Sequence, residues 1–307
     1  MSQGVLPFQY EEEKSESGLT GLSGLPLYLD LLHQMGLRES IESNIGVRAE
    51  GQGWTDSEII LSLIFLNLSG GDCVDDLRVI ESDAGFCRVL NRVRHHGLNR
   101  RERRSLSRRW RKERQRPVPS PSSVFRYLPS FHDPEQERYR YLATREVVRQ
   151  AVLPGLEESL PLPFPVVSME RCQYKVHGVV TNMDWEGSEL INWLYQRCGK
   201  SEEAHAVMKD DLAGGKLPSG DFGENAAWWW IMILALNLNA IMKRFVLGKK
   251  WVPKRLKAIR FHLIHLPGRV VRHSRQLILN LSKGHPSFHI FIEARQRISR
   301  LLPAPAG

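Results

Sequence analysis

The sequence predicts a mainly α fold with a small β part (α+β). Three observations carry that prediction. Thr55-Asp56-Ser57-Glu58 reads as a capping box and is followed by the apolar run Ile59–Leu68. A second, longer apolar run extends from Ala226 to Met242. Alternating, β-branched stretches occur only after residue 166, beginning with QYKVHGVVT at 173–181. Hydrophobic residues make up 42% of the 307 positions and charged residues 25%, a balance that supports a packed core and excludes wholesale disorder.

The elements follow in order. Pro26–Gln34 is an apolar helical segment, and Ile59–Leu68 is a helix stopped by Gly70-Gly71. Cys73–Ile80 and Ala84–Val93 continue as helices. An arginine-rich stretch then runs to Pro117, where Pro117, Pro119 and Pro121 break it. A new helix is expected near Ser122-Ser123, carrying Val124, Phe125, Tyr127 and Leu128, and a further one over Glu135–Val152. Pro154, Pro161, Pro163 and Pro165 mark a linker. Beyond it, Gln173–Thr181 is expected as a strand, Glu186–Tyr195 and Ser201–Leu212 as helices, and Gly214–Gly220 as a loop. Phe222–Val246 is a long apolar helix, Ala258–Leu266 and Arg269–Leu281 are expected strands, and Ser287–Leu301 closes the chain as a helix. The expected organisation is an N-terminal helical region at 1–153, a proline-rich junction at 154–165 and a C-terminal part at 166–307.

Charge is unevenly placed. Against 34 acidic residues stand 43 Lys and Arg, a net charge of +9 that favours polyanionic partners. Residues 92–116 hold twelve Lys and Arg against Glu102 and Glu113. From Asn225 to Ile292 there is no acid, while twelve bases lie between Lys243 and Lys283. Cys73, Cys87, Cys172 and Cys198 form no C-x-x-C pair, which argues against a disulfide framework or a zinc site of standard spacing. The acidic start, Glu11-Glu12-Glu13, does not read as a signal peptide. The 17-residue apolar run falls short of the roughly 20 residues a membrane span needs and contains Asn237 and Asn239. It is expected to be a buried helix, the chain to have no membrane partner, and the location to be cytoplasmic.

Tyr195, Glu202 and Lys209 recur at i, i+7 and i+14. On one continuous helix they would share a face, although Gly199 could interrupt it. A glutamate with a lysine two turns later suits a divalent cation held beside a DNA phosphate. The same spacing also suits a solvated helix face with ordinary ion pairs.

Together with its flanks, this spacing resembles the Tyr-Arg-Glu-Lys signature of bacterial insertion-sequence DDE transposases. Matching stretches are GVVTNMDWEG (178–187), RCGKSEEAH (197–205), KDDLAGG (209–215) and SGDFGENAAWWW (219–230). Ahead of the junction lie LPFQYEEEK (6–14), GLPLYLDLLHQMGL (24–37), LSGGDCVDDLRVIESD (68–83) and SPSSVFRYLPSFHD (120–133). One departure is Cys198 at the family's Arg position, with Arg197 one residue early, which leaves open whether Glu202 or Glu203 is the family's Glu. The resemblance implies a ribonuclease H-like core, DNA strand cleavage and transfer, and an Asp-Asp-Glu site holding Mg2+, with Glu202 as the catalytic and metal-binding Glu. It also implies that Tyr195 and Lys209 position double-stranded DNA at the element ends.

The family's two catalytic aspartates should precede that Glu on core strands. Between the helical region and Val166 lies only GLEESLPLPFP (155–165), which has no Asp and no room for a sheet. Asp184 belongs to a turn that the resemblance places outside the triad. Asp75 and Asp76 are too remote in the chain to substitute in a site that must be held to about half an ångström. The C-terminal part is therefore expected to be the remnant of a ribonuclease H-like core after an internal deletion. Two readings of function result. One is a DDE transposase whose copy here is catalytically incomplete. The other is a non-catalytic DNA-binding remnant that recognises element ends or competes with an intact transposase, as a homo-oligomer or in hetero-oligomers with it.

The arginine-rich segment supplies the expected DNA contacts: Arg100, Arg101, Arg103, Arg104, Arg108, Arg109 and Arg111. Trp228-Trp229-Trp230 cannot form one stacking platform, since successive helical positions point apart, and core packing is expected instead. His262 and His265, in an expected strand, would face opposite sides and hold no metal, and His95-His96 is expected on the basic surface.

Overall fold

The computed structural model describes residues 18–48, 53–109, 116–138, 166–169, 172–175, 184–197, 200–274 and 276–301. The fold is mainly α with small antiparallel sheets. Two compact units divide it, Met1–His132 with Ala204–Gly307 and Asp133–Glu203. The junction at 154–165 lies outside the described residues.

In the larger unit the N-terminal helices are α1 (Leu25–Gln34), α2 (Leu37–Asn44), α3 (Asp56–Ser69), α4 (Leu77–Ser82), α5 (Ala84–Arg94), α6 (Arg100–Arg108) and α7 (Pro121–Phe125). The capping box forms as the sequence requires. Thr55 Oγ1 accepts from Glu58 N at 3.2 Å, and Thr55 N donates to Glu58 Oε2 at 3.0 Å. Helix α3 is buried nearly all round, with Ile59, Leu63, Ile64, Leu66 and Leu68 fully enclosed. Gly70, at φ +93°, ends it in the left-handed region that glycine tolerates. Asp83 caps α5 by accepting from Phe86 N at 2.7 Å. It also accepts from Thr20 Oγ1 and Gly21 N, which fixes the short strand β1 (Leu19–Thr20) beside that helix. Cys73 and Cys87 are free, and burial pushes the Cys87 thiol up to about 12.

The C-terminal part of this unit completes the same core. Its longest helix, Phe222–Ile241, continues through a wider-pitched turn at Met242–Leu247 and packs on α3 with Trp228, Met232, Ala235, Leu238 and Met242 buried. Tyr28 of α1 donates to Asn239 Oδ1 at 2.9 Å inside this core. At 26 residues, helix and continuation together are long and apolar enough to cross a membrane, by length and composition alone. The apolar run in the sequence understated that length, and the contact with α3 accounts for its apolar face.

Residues 258–266, expected as a strand, are helical: Leu256–Ile259 passes into a wider-pitched turn at Arg260–Ile264. The buried positions explain the difference. Leu256, Ile259, Arg260, Leu263 and Ile264 recur at i, i+3, i+4, i+7 and i+8, a helical stripe that the flanking polar residues disguise as alternation. The next stretch folds as two strands, β4 (Gly268–His273) and β5 (Gln276–Leu281), paired antiparallel from Gly268↔Leu281 to His273↔Gln276. β4 also pairs with β1, giving the order β1-β4-β5. The closing helix, Phe288–Ile298, packs against α1.

In the smaller unit, β2 (Val166–Met169) and β3 (Cys172–Lys175) form a two-stranded antiparallel hairpin. The expected strand at 173–181 is therefore seen in its first residues, and 176–183 lie outside the described residues. Helix α8 (Gly187–Arg197) follows. Trp185 and Trp193 meet edge to face at 5.8 Å, and Leu190 is the buried side chain of the helix.

One side chain joins the two sequence halves of the larger unit. Arg260, 9% exposed, donates to Leu68 O at 2.9 Å, to Asn67 O at 2.7 Å and to Asp211 O. The first two carbonyls belong to the last turn of α3; Asn67 O also accepts from Gly70 N at 3.2 Å. His265 bonds the next carbonyl, Ser69 O, through Nε2 at 2.8 Å; the oxygen only accepts, so Nε2 carries the proton. Replacing Arg260 with Met should remove a buried donor from three carbonyls and lower stability by about 3–5 kcal/mol, read from urea unfolding.

Burial, with Arg260 nearby, holds the His265 pKa below the ordinary histidine value; His95 is held low by burial and by Arg94 and Arg103. A lowered folded pKa means that the unfolded chain binds more protons. Stability should therefore be full above about pH 6.5 and fall as the pH drops below it. Urea midpoints measured across that range should show the decline, and His265→Gln should reduce its slope.

Candidate nucleic-acid interface

Helix α6 is built for a purpose other than the core. Asn99 Oδ1 accepts from the backbone N of Arg101 and Glu102 at 2.9 and 3.0 Å, and Glu102 Oε2 accepts from Asn99 N at 2.8 Å. That cap starts a helix with no buried residue at all. Arg100, Arg101, Arg103, Arg104 and Arg108 are exposed on it, and Arg100, Arg104 and Arg108 succeed one another at i, i+4 and i+8 along one face. Arginines in a first turn oppose the helix macrodipole, and Glu102 is the one acid there. Arg103 donates through Nε to Leu98 O at 2.8 Å. Packing and local electrostatics do not account for Arg100, Arg101, Arg104 and Arg108, which a polyanion would explain.

The other arginines of the basic stretch divide differently. Arg109 donates to Gly53 O at 3.1 Å and to Arg48 O at 3.0 Å, so it holds the loop before α3. Arg94 is 10% exposed, pairs with Glu58 at 3.0 Å, donates to Pro117 O and lies 4.9 Å from the Trp54 ring. Arg111 lies outside the described residues. His96 meets His33 edge to face at 5.8 Å on the surface, while His95 is half-buried.

Tyr195 is 69% exposed near the end of α8. Glu202 lies on the helix α9 (Lys200–Ala206), and Lys209 is exposed on the wider-pitched turn Val207–Asp211 that continues it. The change of pitch takes Lys209 out of the register that an unbroken α-helix would give. Cys198 and Gly199, between α8 and α9, lie outside the described residues. Asp211, two residues past Lys209, has a fully buried side chain that accepts from Arg255 at 2.9 and 3.1 Å. The KDDLAGG stretch thus anchors to the core immediately after the exposed lysine.

Of the tryptophan triplet, Trp228 is buried and donates through Nε1 to Ala213 O at 2.9 Å, Trp229 is half-buried and Trp230 is 68% exposed. The triplet offers no common stacking surface. His262 is helical, edge-on to Trp251 at 6.3 Å, and His265 holds the end of α3. The pair does not sit on opposite faces of a strand, as the sequence suggested. Among the described residues, no three carboxylates bring ligand atoms within 4.8 Å of one another. A pair of divalent ions requires several carboxylates converging on metals about 3.5–4 Å apart, and the described residues by themselves do not supply them.

The class to which this architecture points is given by comparison with known families. Residues 167–303 match the model of the transposase DDE domain, group 1. The match runs from the hairpin of the smaller unit past the closing helix and contains Tyr195, Glu202 and Lys209. It supports a transposase-type function, in a family that generally uses divalent metal ions and acts on DNA. No curated protein and no solved structure matches the chain.

Proposed function

We propose that this chain derives from an insertion-sequence DDE transposase of the Tyr-Arg-Glu-Lys branch, binds double-stranded DNA at element ends, and cannot cut it. In this reading, residues 1–153 carry DNA binding, 154–165 mark an internal deletion, and 166–307 are what is left of a ribonuclease H-like catalytic domain. The single observation that carries DNA binding is α6, an exposed helix of arginines with no buried face, in a chain whose C-terminal part matches a transposase domain. Loss of cutting is supported by the sequence between the helical region and Val166, which supplies neither aspartate. Glu202 alone then cannot hold two Mg2+ ions. Tyr195 and Lys209 are assigned to the DNA backbone, and the protein acts in the cytoplasm as a competitor of an intact transposase, alone or in mixed oligomers with it.

Incubation of the purified protein with DNA bearing element ends and Mg2+ or Mn2+ should give no nicking; nicking that disappears in Glu202→Ala would overturn the deletion argument. Binding to duplex DNA should weaken steeply with salt. Each phosphate contact contributes about −0.9 to the log–log slope, so changing Arg100, Arg101, Arg104 and Arg108 together to Gln should flatten it by about 3–4. Such a change should weaken binding to all sequences alike, because phosphate contacts carry no base information. An unchanged slope would make α6 a solvated charge run.

A further inference from the structure

A second basic surface lies in the larger unit, apart from the arginines of α6. Arg88, Asn91, Arg92 and His95 sit at i, i+3, i+4 and i+7 of α5 and its C-terminal end, and so share a face. Opposite them stands the β4–β5 hairpin, which contributes Val270, Arg272 and, paired with Arg272, Leu277. These seven residues line a cavity of about 480 Å3, within the roughly 300–1,000 Å3 of ligand-sized sites, and none of them is acidic. Val270 is buried beneath the hairpin and accepts from Arg88 Nη1 at 3.4 Å, which fixes the spacing of helix and strand.

Arg88 thus serves the fold as well as the cleft. Arg92 suits the C-terminal end of α5, where the macrodipole favours a cation. Arg272 lies on a strand and has no such reason. Facing Arg88 and Arg92 across a cavity, it adds like-charge repulsion. The cleft lies next to α6 along the chain, since α5 ends at Arg94 and α6 begins at Arg100. His95, on the cleft's lining, is held below the ordinary histidine value by burial first and then by the charges of Arg94 and of Arg103 on α6.

We infer that the cleft between α5 and the β4–β5 hairpin seats a phosphodiester backbone, with Arg88, Arg92 and Arg272 as its cationic contacts, and that it extends the track begun by α6. The inference rests on the DNA-binding reading and adds to it a surface built from both ends of the chain. The hairpin falls within the residues that match the transposase domain, whereas α5 precedes them. Arginine forks suit phosphate oxygens geometrically, and a lysine would keep the charge but lose the bidentate bond.

The test is the salt dependence of duplex binding by the full chain. Arg92→Gln with Arg272→Gln should lower the log–log slope by about 1.8, and Arg92→Lys with Arg272→Lys should keep most of it. Unfolding curves of each variant report whether the fold is intact, and Arg272→Glu alone provides a single exposed substitution should the pair disturb the hairpin. An unchanged slope in folded cleft variants, with the α6 variant still flattened, would overturn the cleft and leave the DNA-binding reading standing. Loss of salt dependence in neither set would sink both. Competition separates the sources of phosphate: a track for a polymer is displaced by a second DNA and not by inorganic phosphate at equal phosphate concentration. Displacement by inorganic phosphate would reduce the cleft to a single-anion site and overturn the proposal.

Discussion

The guanidinium of Arg260 is the contact on which the larger unit depends. A helix as apolar as α3 must end inside the protein, and its last carbonyls then have no water to meet. Arg260 reaches Asn67 O and Leu68 O from nearly two hundred residues away and bonds Asp211 O with the same group. Asn67 extends the joint, its own Oδ1 accepting from Ala213 N at 3.0 Å, and Trp228 takes the Ala213 carbonyl. A cation at a helix C-terminus also meets the negative end of the macrodipole, so one residue satisfies donors, acceptors and charge together. Close backbone approach accompanies it. A Cβ on Gly24 would fall 2.2 Å from Leu263 O, so the start of α1 can lie against the segment that carries Arg260 only because residue 24 has no side chain.

The excess of positive charge therefore has two different uses. In the basic zone from Lys243 to Lys283, Arg260 closes the end of α3, Arg255 pairs with the buried carboxylate of Asp211, and Lys243 donates to Val252 O and Lys254 O. Arg94 and Arg109 do similar work in the first zone. The arginines exposed on α6 have no buried face to serve, and this part is the one suited to a polyanion. Net charge alone could not separate the two uses, because an arginine that caps a carbonyl and one that awaits a phosphate look the same in a sequence.

The transposase match and the donor geometry bear on different questions. The match covers Tyr195, Glu202 and Lys209 and supports a transposase-type function. The donor geometry concerns the described side chains alone: cleavage with two ions needs carboxylates that converge, and among those residues no three do.

The sequence by itself determined the local elements whose signals are short-ranged. The Thr55–Glu58 capping box, the Gly70 stop and the apolar helix from Phe222 all follow from neighbours within a few residues. It also determined which stretch is exposed and basic, since a run of arginines broken by one glutamate cannot enter a core. The motif around Tyr195, Glu202 and Lys209 was legible as a pattern, but its register depended on a wider-pitched turn that no spacing rule announces. Tertiary structure alone decided the rest. Residues 256–264 became helical because their buried face meets α3, and β1 found its partner at Gly268–Arg269, on the far side of the sequence. Arg260 and Arg272 differ in role only because one lies under the end of a helix and the other on an exposed strand. Those distinctions depend on contacts between residues far apart in the chain, where local propensity carries no information.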